Sequence, residues 1–194
     1  PIIGISQANT YSPAKIDSIL ENTYRDTSIS FYQKTRIGEK LIKWSDQTKY
    51  PKGKYNALLE TGLAHFHLSQ YEKALASFQN SYMIAQEMDS TAYIAEAVYF
   101  LGIIHKYLDN FDQAKEYFEE SLGLYAHLKN IKWMAAIKSN LGTIYAKKEN
   151  YLDALAVYQE ALSLMQANNL EKESSIPLAN IGDTYWRMKK PELA

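Results

Sequence analysis

Apolar positions recur along the chain at helical spacing. Ala97, Leu101, Ile104 and Leu108, with His105 among them, fall on one side of a 3.6-residue helix. Asp109–Asn110 breaks the pattern, and Asn110 is a residue type suited to cap the next helix. That helix carries Phe111, Ala114, Tyr117, Phe118, Ser121, Leu122 and Tyr125. The same pair recurs further on with Asn150 as the cap. Extended along the chain, the pattern predicts helices near 13–25, 29–47, 51–68, 71–88, 91–108, 111–128, 131–148, 151–168 and 174–189. An all-α, antiparallel stack follows, because short links fold neighbouring helices back on one another.

The period is 40 residues. Gly62, Gly102, Gly142 and Gly182 share it, as do Ala74, Ala114, Ala154 and Ala194. Tyr71, Phe111 and Tyr151 precede three of those alanines, and Phe78, Phe118 and Tyr158 follow them. Ser81, Ser121 and Ala161 complete the columns. Small residues such as Gly102 and Ala114 belong where paired helices approach most closely, and the aromatics fill the gaps between them.

These columns resemble the tetratricopeptide repeat family, whose hallmark is a small residue and a tyrosine in the first helix, then alanine, aromatic and alanine in the second. The best unit matches with Leu141, Gly142, Tyr145, Ala154, Tyr158 and Ala161. The family's usual unit is about 34 residues, so this is a longer variant in which each helix gains roughly a turn. His65 and His105 stand where tyrosine is usual, and the family's proline near the end of each unit is missing. The resemblance covers 51–194, in units of about 51–90, 91–130, 131–170 and a truncated 171–194. It implies a right-handed superhelix.

Residues 9–50 read as a degenerate N-terminal helix pair that caps the array. Phe31 and Leu41 continue two columns, but Lys34 and Gly38 replace the alanine and the aromatic. Terminal repeats are commonly atypical. The chain starts at Pro1 and stops at Ala194 early in a helix, so a piece of a longer protein is expected. The apolar run Pro1–Ile5 followed by Ser6-Gln7-Ala8 fits the tail of an export signal over 1–8. That tilts the expected location toward the outside of the cytoplasm. The layout is also similar to bacterial signalling proteins that place such repeats ahead of a histidine kinase or a DNA-binding output domain.

Family resemblance implies that the first helices line a concave groove for a protein or peptide. At fixed offsets from each glycine, the candidate groove residues are Leu63 and Phe66; Tyr99, Phe100, Ile103 and Lys106; Asn140, Thr143 and Lys147; and Asn180, Asp183 and Arg187. Ala136, Ser139 and Ile176 fall on the same offsets. In peptide-binding members an asparagine at the place of Asn140 and Asn180 holds the ligand backbone. An amide suits this because it donates and accepts at once. Leu63, Phe66, Tyr99 and Phe100 make the first half apolar, suited either to a ligand's side chains or to internal packing. The lysine of the family's terminal-carboxylate clamp is replaced by Leu59, Tyr99, Ser139 and Ala179, which disfavours a chaperone-tail adaptor.

Composition narrows the chemistry. Glycine (8) and proline (5) are sparse, and net charge is −1, without the basic excess of a nucleic-acid binder. There are no cysteines, so disulfides and thiol nucleophiles are excluded. No run approaches the roughly 18 apolar residues of a membrane span. No catalytic or cofactor motif occurs, and neither metal nor cofactor is expected. His65 and His67 lie two apart on one helix and point apart; His65 and His105 read as packing residues. The expected function is a non-enzymatic protein- or peptide-binding repeat domain of a larger signalling protein. The alternatives are a scaffold or self-association module, with a homodimer through the unfinished last unit left open, and an enzyme whose catalytic domain lies elsewhere.

Overall fold

The computed structural model describes residues 11–189. Among these residues are α1 (Pro13–Arg25), α2 (Phe31–Gln47), α3 (Pro51–His67), α4 (Tyr71–Glu87), α5 (Thr91–Tyr107), α6 (Phe111–His127), α7 (Ile131–Lys147), α8 (Tyr151–Ala167) and α9 (Ser175–Arg187), with a 3-10 turn at Glu171–Ser174 and no strand. The helices from α1 to α8 fall where the periodicity puts them. They belong to two compact units, Pro1–Ser90 and Thr91–Ala194. Each unit is a solenoid of antiparallel helix pairs. Residues 1–8 and Ala194 lie outside the described residues.

Helix ends set the rhythm. α2 through α8 each span 17 residues. Left-handed backbone follows every helix from α2 to α9, at Lys49, Ser69, Asp89, Asp109, Lys129, Glu149, Asn169 and Lys189. At α3, Gln70 N donates to His65 O (2.9 Å) and Ser69 N to Phe66 O (2.9 Å), the two bonds of a Schellman stop. None of these residues is glycine; Asp89, Asp109 and Asn169 are types that tolerate this region, while at Lys49, Ser69, Lys129, Glu149 and Lys189 the turn holds against a steric cost of roughly 1–2 kcal/mol.

The caps differ from expectation. Asn110 and Asn150 occupy the N-cap position, but neither side chain makes a capping bond. Each also donates its backbone N–H to close the preceding helix, Asn110 to His105 O and Asn150 to Tyr145 O. Both have ψ of 63°, whereas Asn130, which closes the helix before it in the same way, has ψ of 85° and accepts from Trp133 N (3.3 Å). Ser12 and Ser30, with ψ of 158° and 152°, do cap their helices.

In the first unit, Ile16, Leu20, Leu41 and Ala57 form a core shared by α1, α2 and α3. Lys34 and Gly38 depart from the columns where α1 packs on α2 and, at Gly38, where Thr61 of α3 also closes in. Tyr24 Oη donates to Lys34 O (3.0 Å), and Lys34 Nζ donates back to Tyr24 O (3.1 Å). A Cβ on Gly38 would collide first with Thr61 Oγ1 and then with the Tyr24 hydroxyl (2.6 Å). Burial pushes that hydroxyl up to about 12. Further along, Phe78 and Ala74 are wholly buried between α3 and α4.

In the second unit, Ala95, Ala114, Phe118, Tyr125, Ile137, Leu141 and Ile144 form the core. A Cβ on Gly102 would meet the Phe118 ring at 2.8 Å, and one on Gly142 the Tyr158 ring at 2.6 Å. The glycine column therefore exists for the aromatic column of the following helix. Ser121 is small for a related reason: its buried Oγ donates to Ala95 O across the pair (2.8 Å). The last helix starts at Ser175, four residues later than the period requires, after the 3-10 turn. Pro177 has no N–H for the carbonyl four residues back and its ring crowds that carbonyl, so the α-helix cannot run through from 171.

Candidate functional site

Within the second unit, α5, α7 and α9 are the first helices of successive pairs. They border a groove of about 560 Å³, lined by Tyr99 and Lys106 of α5, Asn140 and Thr143 of α7, and Ile176 and Asn180 of α9. Glycine-based offsets carry these side chains to one face because a fixed offset sets an angle around each helix.

Hydrogen bonds tie the polar lining together. Lys106 Nζ donates to Asn140 Oδ1 at 2.5 Å. Asn140 Nδ2 donates to Ala136 O (3.0 Å) and to the Tyr99 hydroxyl (3.3 Å). Asn180 Nδ2 donates to Thr143 Oγ1 (3.4 Å), which also accepts from the Tyr158 hydroxyl (3.2 Å). Asn140 is thus held in place by α5. Its carbonyl oxygen keeps a second lone pair in addition to the one used.

The electrostatics are lopsided. Burial, and secondarily the nearby positive charge of Lys147, lower the Lys106 ammonium to about 8. Burial raises the Tyr99 hydroxyl, partly opposed by its bond with Asn140. Asp183 is neutralised by Arg187 at 2.7 Å.

Tyr99, Lys106, Asn140, Thr143 and Asn180 meet in the groove, with Ala136, Ser139 and Ile176 beside them. Phe100 instead sits edge-on to Tyr99 (5.1 Å) and to Trp133 (6.4 Å). Tyr99 also lies edge-on to Trp133 (4.8 Å), which stacks on Tyr125 (5.2 Å). Tyr99 thus both lines the groove and packs on the core, and Ile103 packs on that core as well. Asp183 and Arg187 border a separate hollow with Trp186 at the end of α9. Lys147 is exposed at the end of α7. Leu63 and Phe66 belong to the first unit, where Phe66 contacts His67 and Tyr71.

Sequence offsets missed Lys132, Met165 and Lys172, which also line the groove. Lys132 sits two turns before Asn140, and extending the offsets toward the helix start would have found it. Lys172 lies in the 3-10 turn, which breaks the period and hides it. Among the described residues no cluster of three or more potential ligands could hold a metal, and no helix is long and apolar enough to cross a membrane. His65 and His105 are buried packing residues.

The tetratricopeptide repeat profile matches residues 55–126 and 133–194. No curated protein matches. Solved structures do. BtubC from P. vanneervenii is 18 % identical with a TM-score of 0.75, over 93 % of this chain and 74 % of that one. A signal transduction ATPase with numerous domains from Pyrococcus horikoshii, described as having a tetratricopeptide repeat sensor, is 14 % identical with a TM-score of 0.72, over 90 % of this chain and 27 % of that one. A Rap protein complexed with competence and sporulation factor is 14 % identical with a TM-score of 0.66, over 93 % of this chain and 59 % of that one. Identities this low establish likeness of fold.

Proposed function

The chain belongs to the tetratricopeptide repeat family, and from that premise we propose that it binds an extended peptide or protein segment along the α5–α7–α9 groove. The carrying observation is the groove itself, with two asparagine amides on equivalent turns of adjacent first helices, Asn140 and Asn180. Neighbouring helices lie about 10 Å apart and an extended peptide advances roughly 3.3 Å per residue, so the amides would meet ligand backbone groups about three residues apart. The Rap structure holds competence and sporulation factor, and the ATPase's repeats are called a sensor. Both fit a role here as the non-catalytic sensing or interaction region of a larger signalling protein.

Affinity capture of a partner, followed by titration calorimetry, tests this. The Asn140→Ala/Asn180→Ala double variant should stay helical and bind about 5- to 100-fold more weakly, two neutral hydrogen bonds at roughly 0.5–1.5 kcal/mol each. Unchanged affinity in a folded double variant would remove the groove from the mechanism.

A second reading has its own observation. Leu178 and Trp186 of α9 are 55 % and 66 % exposed and lie on one side of the helix, as a self-association face would. Light scattering of wild type against Trp186→Glu separates the two: a dimer lost in the variant favours association over peptide capture.

A further inference from the structure

The 40-residue period lets two layers of the second unit be compared position by position. Between α5 and α7, Tyr99 lies edge-on to Trp133 (4.8 Å) and tilted on Phe118 (5.8 Å), and Trp133 stacks on Tyr125 (5.2 Å). Three of these four rings have no counterpart between α7 and α9. Ser139 stands at the place of Tyr99 and Met165 at that of Tyr125, and the position matching Trp133 falls in the 3-10 turn. Phe118 keeps its ring, as Tyr158. Space filled by rings in one layer is therefore open in the next. There the groove passes beyond the first helices and reaches Met165 of α8, with Ser139 also on its wall. Ser139 is buried, and its Oγ has no hydrogen-bond partner. A hydroxyl shut away from water without a partner is unfavourable, and it stands beside a hollow that a ring would fill.

We propose that this hollow is a pocket for one tyrosine side chain of the bound peptide, its ring against Met165 and its hydroxyl bonded to Ser139 Oγ. This rests on the peptide-binding reading above. The chain's own Tyr99 is the template, because it shows that the gap between successive first helices takes a phenol ring. Met165 suits the occupant: its side chain is flexible and its sulfur makes favourable contacts with aromatic rings. Rotation about the single χ1 bond of Ser139 turns its hydroxyl toward the groove. Phenylalanine would fill the same space but leave that hydroxyl unpaired, and alanine would do neither. Asn180, on the same groove wall, holds the backbone of that stretch.

The test follows the Met165 methyl by NMR in the full chain, labelled at its methionine methyls; the chain has five methionines, few enough to assign by substitution. Three heptapeptides of alanine and serine, blocked at both ends, carry tyrosine, phenylalanine or alanine at the centre. The tyrosine peptide should move the Met165 methyl upfield, as a ring lying on it does. It should bind about tenfold or more tightly than the alanine peptide, the worth of burying an aromatic ring. Its margin over the phenylalanine peptide should be about two- to tenfold, the worth of one neutral hydrogen bond. Ser139→Ala should erase that smaller margin and keep most of the larger one. Ser139→Tyr, which supplies a ring from the chain itself, should erase both. An unmoved Met165 methyl, equal binding of all three peptides, or a tyrosine margin over phenylalanine that survives Ser139→Ala would overturn the pocket. Peptides that bind alike and are all weakened by Asn180→Ala would sink the pocket but spare the groove. Failure of all three to shift either Met165 or the Asn180 side-chain amide would sink both.

Discussion

His65 Nδ1 lies 2.8 Å from Gln70 Oε1, whereas His105 Nδ1, at the equivalent place in the second unit, is buried without a partner. The position matching Gln70 is Asn110, one methylene too short to make the same contact. His105 keeps its stacking on Tyr117 at 5.3 Å but leaves a polar atom unsatisfied. Asn110→Gln should therefore stabilise the fold by about 0.5–1.5 kcal/mol, and Gln70→Asn should cost a similar amount. Urea denaturation of the two variants checks both signs, and a destabilised Asn110→Gln would refute the comparison.

The same histidine sets a pH dependence. Burial lowers the His105 ring below its ordinary 6.5, so the unfolded chain binds the proton more readily. Stability should be fully present above about pH 7 and decline as pH falls through the range between the unfolded and folded values. His105→Phe should flatten this part of the profile. Denaturation midpoints measured between about pH 5 and 8 would show it, and an unchanged slope in the variant would place the titration elsewhere.

Helix stops offer a third case. Glu149 is in left-handed backbone at φ 62° and Asn169 at φ 55°. Glycine removes the side-chain clash at such a site but gives the unfolded chain more freedom. Glu149→Gly should gain about 0.5–1 kcal/mol, the difference between those two effects. Asn169→Gly should be close to neutral, because asparagine tolerates this region. Thermal melts of both would sink the argument if their order reversed.

Glycines on helices behave oppositely according to what they face. A Cβ at Gly142 would meet the Tyr158 ring at 2.6 Å, while one at Gly123 meets nothing within 4 Å. Gly142→Ala should cost roughly 1–3 kcal/mol through overpacking. Gly123→Ala should gain up to about 1 kcal/mol from helix propensity. Equal effects in chemical denaturation would show that the ring yields freely.

The sequence alone determined the helices, their pairing, and the glycine, alanine and aromatic columns. These follow from hydrophobic periodicity and from a unit repeated often enough that its register is visible without coordinates. It also indicated which face of α5, α7 and α9 borders a groove, since an offset from a fixed glycine specifies an angle around the helix. Tertiary structure decided everything that depends on what a side chain meets across that angle. Lys106 and Asn140 are 34 residues apart and bond because two helices superpose there. Phe100 lies edge-on to Trp133, a residue outside the offset rule, and is not among the groove's lining residues. Asn110 makes no side-chain cap while Asn130, the same residue type 20 positions on with the same backbone bond to the preceding helix, does, a difference that sequence type alone does not carry. Periodicity reports direction, whereas partners, distances and charge balance arise only when separate helices are brought together.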